Sequence, residues 1–295
     1  MVNIKEKPED FKVVEVLDLD YDENGKYTYV LLKKRNYNTS DAIIKIAEKL
    51  KINPKLIGYA GKKDKKAITT QYISLPKIDE NKIENLRIKD IKLKFLGYGD
   101  KRITLGSLKA NRFKIKFAEK FKKISFMENY FDEQRFGINS DNHLKGKLIL
   151  KRNFKELDTN DKIKLKFYFH SYQSYLFNLV LSESLSKFDH FEVSYNLGKF
   201  VFLKKKIKNF KIPLLSFDTE LKGETGKIYK KILKKEGIRL ADFLVKQMPF
   251  LVSDTQYRDA FVEVNDLKKK GNYIYFTLPK GSYATVLVKK LVNLM

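Results

Sequence analysis

The sequence predicts an α+β protein, a mixed sheet with helices plus an inserted smaller α/β module. Three observations carry that prediction. Short β-branched or alternating segments crowd the opening third and return near the end. A differently patterned, helix-rich stretch separates them. No internal repeat or low-complexity tail is visible.

The elements follow in order. Phe11 to Val16 is extended, and Asn24-Gly25 is a hairpin signal leading into Tyr27 to Leu32. Thr39-Ser40-Asp41 opens a helix with Ile43, Ile46, Ala47 and Leu50 on one face, ending before Asn53-Pro54. A loop from Gly58 to Lys66 precedes a strand at Thr69 to Leu75. Further strands are read at Lys92 to Leu96 and through Phe113, Ile115 and Phe117. Helical patterns at Tyr168 to Leu185 and Thr225 to Glu236 flank a lysine-rich, hairpin-like stretch, Lys199 to Phe210. Tyr273 to Leu278 is a strand, and Pro279-Lys280-Gly281-Ser282 opens a closing helix. The expected division is a body of residues 1–140 and 251–295 with an insertion at 141–250.

Composition narrows the function. Sixty-one Lys and Arg against 36 Asp and Glu give a net charge of +25, which calls for an anionic partner, nucleic acid first. Only eight of the basic residues are Arg, so lysine enrichment from genome composition or thermal adaptation is the bland alternative. There is no cysteine, which excludes disulfides and thiolate metal sites and fits a cytoplasmic location. His143, His170 and His190 are too scattered for a zinc site. No apolar run of membrane-spanning length occurs and no basic amphipathic helix stands out, so no membrane partner is expected. No cofactor, metal or protein partner is implied.

One segment concentrates the chemistry: Gly58-Tyr59-Ala60-Gly61-Lys62-Lys63-Asp64-Lys65-Lys66-Ala67-Ile68-Thr69-Thr70-Gln71. The glycines permit a tight path, and Lys62, Lys63, Lys65 and Lys66 surround one carboxylate. A carboxylate among phosphate-binding cations repels RNA, so binding alone does not explain it. Nearby cations keep it ionised, as a nucleophile or general base requires. A solvated loop with weak surface ion pairs is the competing structural reading. The spacing does not match a P-loop.

This segment resembles the signature of the TruD family of tRNA pseudouridine synthases. Four more matches fall in the family's order. They are Lys5 with Pro8-Glu9-Asp10-Phe11; Leu105 to Phe113, which includes Asn111-Arg112-Phe113; Asn129 to Gly137; and Leu278 to Thr285. The resemblance implies a pseudouridine-synthase mixed sheet with permuted chain order and an inserted TRUD-type domain. It implies tRNA as partner and the uridine at position 13 as the usual target. Asp64 matches the catalytic aspartate, Asn111 and Phe113 the residues that contact the target nucleotide, and Lys5 a basic partner of the aspartate. Phe113 is expected to stack on the uracil, where alternation alone would make it a core residue. Lys62, Lys63, Lys65, Lys66 and Arg112 are expected to meet RNA, Arg112 from the opposite face of its strand. The sequence departs from the family at Ala110 and Asp132, where Gly is usual, and at Lys289-Lys290, where Arg-Glu is usual. Its central insertion is short.

The isomerisation needs no redox step, phosphate transfer or metal. The carboxylate attacks C1′, adds to C6, or removes the 2′ proton, and the sequence does not choose among them. The target base must be flipped out and held on an aromatic face. The alternative function is a non-catalytic RNA-binding protein or RNA chaperone on the same fold, for which Asp64 would be dispensable.

Overall fold

The structure, a computed structural model, describes residues 6–294. The strands and helices in chain order begin with β1 (Phe11–Val16), β2 (Tyr27–Arg35), α1 (Thr39–Leu50) and β3 (Gly58–Tyr59). Next come β4 (Ile68–Pro76), α2 (Glu80–Glu84), β5 (Ile91–Gly99), β6 (Ala110–Lys116) and β7 (Phe126–Glu128). The middle holds α3 (Asn142–Leu150), α4 (Lys162–Leu185), β8 (His190–Tyr195), β9 (Gly198–Leu203), β10 (Lys211–Leu214) and α5 (Gly223–Glu236). The chain closes with β11 (Gln256–Asp259), β12 (Phe261–Glu263), β13 (Asn265–Lys270), β14 (Tyr273–Pro279) and α6 (Ala284–Asn293). Two compact units result, Met1–Glu119 with Val264–Gly281, and Lys120–Glu263 with Ser282–Met295. The contact boundaries thus differ from the expected 140 and 251, and α6 groups with the second unit. Among the described residues no helix is long and apolar enough to cross a membrane.

The first unit is built on a mixed sheet in the order β13-β14-β6-β1-β4-β2-β5, with β3 added on β4. Only β1 and β4 run parallel. The expected hairpin at Asn24-Gly25 is not formed, because β4 inserts between β1 and β2. The turn is real, with the Gly25 N–H donating to the Asp22 carbonyl at 2.9 Å. Gly25 is required by close approach: a Cβ there would lie 2.4 Å from the Gly99 backbone. Alternation gives the sheet one apolar face, on which α1 lays Ala42, Ile43, Ile46 and Ala47 against Val30, Leu32 and Ile73. The sequence reading placed α1 correctly, since period-3.6 apolar spacing and the Thr39 start coincide.

The second unit gathers around α4. Asp161 caps it, accepting from the Ile163 and Lys164 N–H groups at 2.7 and 3.0 Å. Tyr172, Leu176 and Val180 are fully buried, so the helix is core. The hairpin lies earlier than expected, β8 pairing with β9, because Phe200 to Leu203 are core residues, whereas Lys204 to Lys206, Lys208 and Asn209 face water. The unforeseen α3 packs on α4 at Gly146, where a Cβ would fall 2.2 Å from the Tyr168 carbonyl oxygen. Gly146→Ala should therefore cost about 1–3 kcal/mol of stability in urea unfolding. An unchanged midpoint would mean that the helices part without penalty.

Two departures from the family pattern meet here. Lys289 pairs with Asp132 at 2.6 Å and with Glu133 at 3.2 Å. Its neighbour Lys290 pairs with Glu128 at 2.9 Å, both fully buried, and Glu128 also accepts from the Leu203 N–H at 2.8 Å. Burial pushes the Glu128 carboxyl up and the Lys290 ammonium down.

Candidate active site

The signature loop runs from β3 to β4 and is fixed to the apolar face of the sheet by polar contacts. The Lys63 N–H donates to the Thr39 hydroxyl at 2.9 Å, and that hydroxyl donates to Gln71 Oε1 at 2.9 Å. Gln71 Nε2 returns to the Gly61 carbonyl at 3.3 Å. On the glycine side, the Gly106 N–H donates to the Ala60 carbonyl at 2.9 Å. The start of α1 and the β4 strand thus hold one loop through Thr39 and Gln71.

Two buried charges complete the anchorage. Glu15, 2% exposed on β1, forms an ion pair with Lys63 and accepts the Tyr72 N–H at 3.0 Å. Lys34, 1% exposed on β2, donates from Nζ to the Tyr37 carbonyl at 2.5 Å and to the Asp64 carbonyl at 3.2 Å. The Asp64 residue is half-buried between these supports. Its backbone is fixed from beneath by a cation.

Burial pushes the Lys34 ammonium down from 10.5 to about 8, while the Asp64 charge pulls it up, Lys63 pushes it down and Asp41 pulls it up. Between about 8 and 10.5 the folded chain holds fewer protons than the unfolded one. Stability contributed by this group therefore rises with pH across that window, by up to about 1.4 kcal/mol per pH unit. Wild type should gain on Lys34→Met as pH is raised through the window in urea unfolding. Parallel stability curves would contradict this.

Asn111 and Phe113 lie on the same apolar face. In register, Asn111 sits opposite Glu15 on β1 and Leu278 on β14, and Phe113 sits opposite Val13 and Phe276. Asn111 Oδ1 is buried with no hydrogen-bond donor among the described residues, an acceptor open to a ligand N–H or O–H. Phe113 is only 8% exposed, stacked on Phe276 at 5.1 Å and edge-on to Phe11 at 6.1 Å. It is a core residue in its own right, whatever it presents to a ligand.

The loop lysines divide. Lys62, Lys65 and Lys66 are exposed, as a phosphate contact requires, but the Lys63 ammonium is turned inward. The buried Glu15 carboxylate holds it, leaving little of the Lys63 ammonium to meet RNA in the free chain. Arg112 is exposed on the opposite face of β6, and Lys5 lies outside the described residues. Sequence reasoning missed Glu15 and Lys34 as anchors. Their signal was phase, since Glu15 follows Phe11 and Val13, and Lys34 follows Val30 and Leu32, at inward positions.

A family model described as tRNA pseudouridine synthase D (TruD) matches residues 1–160 and 199–291. A tRNA pseudouridine synthase D from Aquifex aeolicus is 30% identical over 377 aligned positions, covering 98% of each chain. One from Sulfurimonas denitrificans is 32% identical over 342 positions, covering 99% of this chain and 95% of its own. A Methanosarcina mazei crystal structure, described as a candidate member of the same family, superposes with a TM-score of 0.67. At 24% identity, covering 98% of this chain and 92% of the other, it supports the fold alone. The mixed sheet is thus the pseudouridine-synthase one, and the chain belongs to the TruD family of tRNA pseudouridine synthases. The Aquifex alignment is longer than this chain's 295 residues, so the relative carries segments absent here. The family model is interrupted at 161–198, where α4 and β8 lie.

Proposed function

We propose that the chain isomerises a uridine of tRNA to pseudouridine, at position 13, with the Asp64 carboxylate acting on a flipped-out nucleotide. The enzyme class is an isomerase, in keeping with the family. In this reading the N1–C1′ bond breaks, the base turns, a C5–C1′ bond forms, N1 gains a proton and the C5 hydrogen leaves to solvent. Asn111 Oδ1 accepts from the nucleotide, and Phe113, backed by Phe276, lends its remaining exposed edge to the base. Lys62, Lys65 and Lys66 meet phosphates. Lys63 keeps the loop in place.

The observation that carries the reading is the anchored Asp64 loop. A carboxylate whose main chain is held by Lys34 and whose neighbour Lys63 is locked to Glu15 is preorganised, as a catalytic group needs. Incubation with unmodified tRNA, then carbodiimide primer extension, should give a stop at position 13. A stop elsewhere would replace the position, and no stop with folded protein would overturn the reading.

A further inference from the structure

The sheet of the first unit has a second face, which the proposed chemistry leaves unused. One end of it is closed by Tyr29, Ile103 and Leu108, with Tyr72 packed against them. The rest is open: Val14, on the central strand β1, is 39% exposed. The strand registers lay a pair of cross-strand rows over this open region. One row runs Lys268, Tyr275, Lys114, Lys12 and Ile68. The other runs Thr277, Arg112, Val14, Thr70, Lys33 and Lys92.

These rows place like charges directly opposite one another, Lys12 against Lys114 and Lys33 against Lys92, an arrangement that costs stability. Among the described residues no carboxylate pairs directly with them, although the Glu9 carboxylate lies near enough to Lys12 to feel its charge. None of Lys12, Lys33, Lys92, Lys114, Arg112 or Lys268 has an acidic partner within ion-pair distance among the described residues. Acidic groups stay at the rim: Glu9 and Asp90 beside Arg35, Glu6 and Asp10 each 4.0 Å from Lys116 at the end of β6, and Asp266 accepting from the Thr277 hydroxyl at 3.3 Å. The Lys114 ammonium lies over the Tyr273 ring at 4.4 Å and the Tyr275 ring at 5.5 Å, which fixes a cation between two half-exposed aromatic faces. Lys270, opposite Tyr273, extends the same patch.

We propose that this open sheet face is a second RNA-binding surface, on which Lys12, Lys114, Arg112 and Lys268 hold phosphates while Tyr273 and Tyr275 stack on unpaired bases. Like charges that repel in the free protein are relieved when phosphates enter between them. Arg112 and Lys33 lie three strands apart, about 14 Å, so a strand of RNA has room to cross the sheet. Aromatic rings interleaved with cations on an exposed sheet suit single-stranded RNA better than a membrane, which would need larger apolar groups in the open region of the face. The inference goes beyond the isomerase reading and stands without it.

The test uses the full chain carrying Asp64→Asn, so that binding is measured without chemistry. Lys12→Gln/Lys114→Gln/Lys268→Gln is compared with Lys227→Gln/Lys230→Gln/Lys234→Gln, three exposed lysines of α5. Filter binding of unmodified tRNA across a salt series should show the sheet variant weakened at least about tenfold at 0.1 M salt. Its log–log salt slope should fall by about 2 to 3, with the α5 variant near its parent. Equal losses in both would reduce the effect to net charge and overturn the proposal. As a check independent of folding, 4-thiouridine-substituted tRNA should crosslink to the segment holding Tyr273 and Tyr275. Crosslinks confined to the Asp64 side would also overturn it, as would anionic vesicles displacing tRNA from this face. Failure here leaves the isomerase assay untouched, and a failed isomerase assay leaves these binding results standing.

Discussion

Asp64→Asn is expected to abolish pseudouridine formation while tRNA stays bound as tightly as before, or more tightly. The substitution keeps the size of the side chain and removes its charge and basicity. Every route open to the carboxylate, attack on C1′, addition to C6 or removal of the 2′ proton, needs the ionised oxygen. Loss of a group that acts on the reacting atoms costs on the order of 10⁴ or more in rate. Binding moves the other way, because a negative charge among Lys62, Lys65 and Lys66 opposes phosphate. The backbone bond from Lys34 to Asp64 survives the substitution, so the loop should keep its place. Quantified pseudouridine in tRNA, set beside filter-binding affinity, separates the outcomes. A variant with full activity would remove Asp64 from the chemistry.

The second large effect concerns Glu15. Removing its carboxylate, as in Glu15→Ala, strands the Lys63 ammonium in a site where its side chain is 7% exposed. An unpaired buried charge costs about 3–5 kcal/mol, enough to consume much of a domain's stability. Replacing both partners, Glu15→Leu/Lys63→Met, should recover most of that loss, since a well-packed apolar pair often matches a buried ion pair. Activity should not fully recover with it, because one of the tethers that set the Asp64 loop is gone. Urea unfolding of the two variants, with turnover on the double one, checks both halves. A fully active double variant would show that the ion pair serves folding alone.

How much of this was legible in the chain depends on whether the determinant is local. The helix at Thr39–Leu50 was, because its start residue and its 3.6-residue apolar spacing are contained in twelve positions. The strand Tyr273–Pro279 and the closing helix were legible for the same reason. Strand pairing was not, since the Asn24-Gly25 turn is compatible with a hairpin until β4, arriving from residue 68 onward, takes the place beside β1. The α3 helix escaped because its position is set by the close contact of Gly146 with Tyr168, a tertiary fact. At the site, Asp64, Asn111 and Phe113 came from motif resemblance, and the structure adds that Asn111 and Phe113 share one sheet face. The pairing of Lys63 was not legible, because a lysine in a basic loop gives no sign of its inward turn toward Glu15. Glu15 itself was visible as an acid in the buried phase of β1.

The central claim is that this chain moves the sugar bond of a uridine from N1 to C5. That move must expel the C5 hydrogen, so tRNA carrying tritium at C5 of its uridines offers the most direct measurement. The wild-type chain should release tritium to water, up to one equivalent per target uridine, and Asp64→Asn none. No release by a folded, tRNA-binding wild type would contradict it.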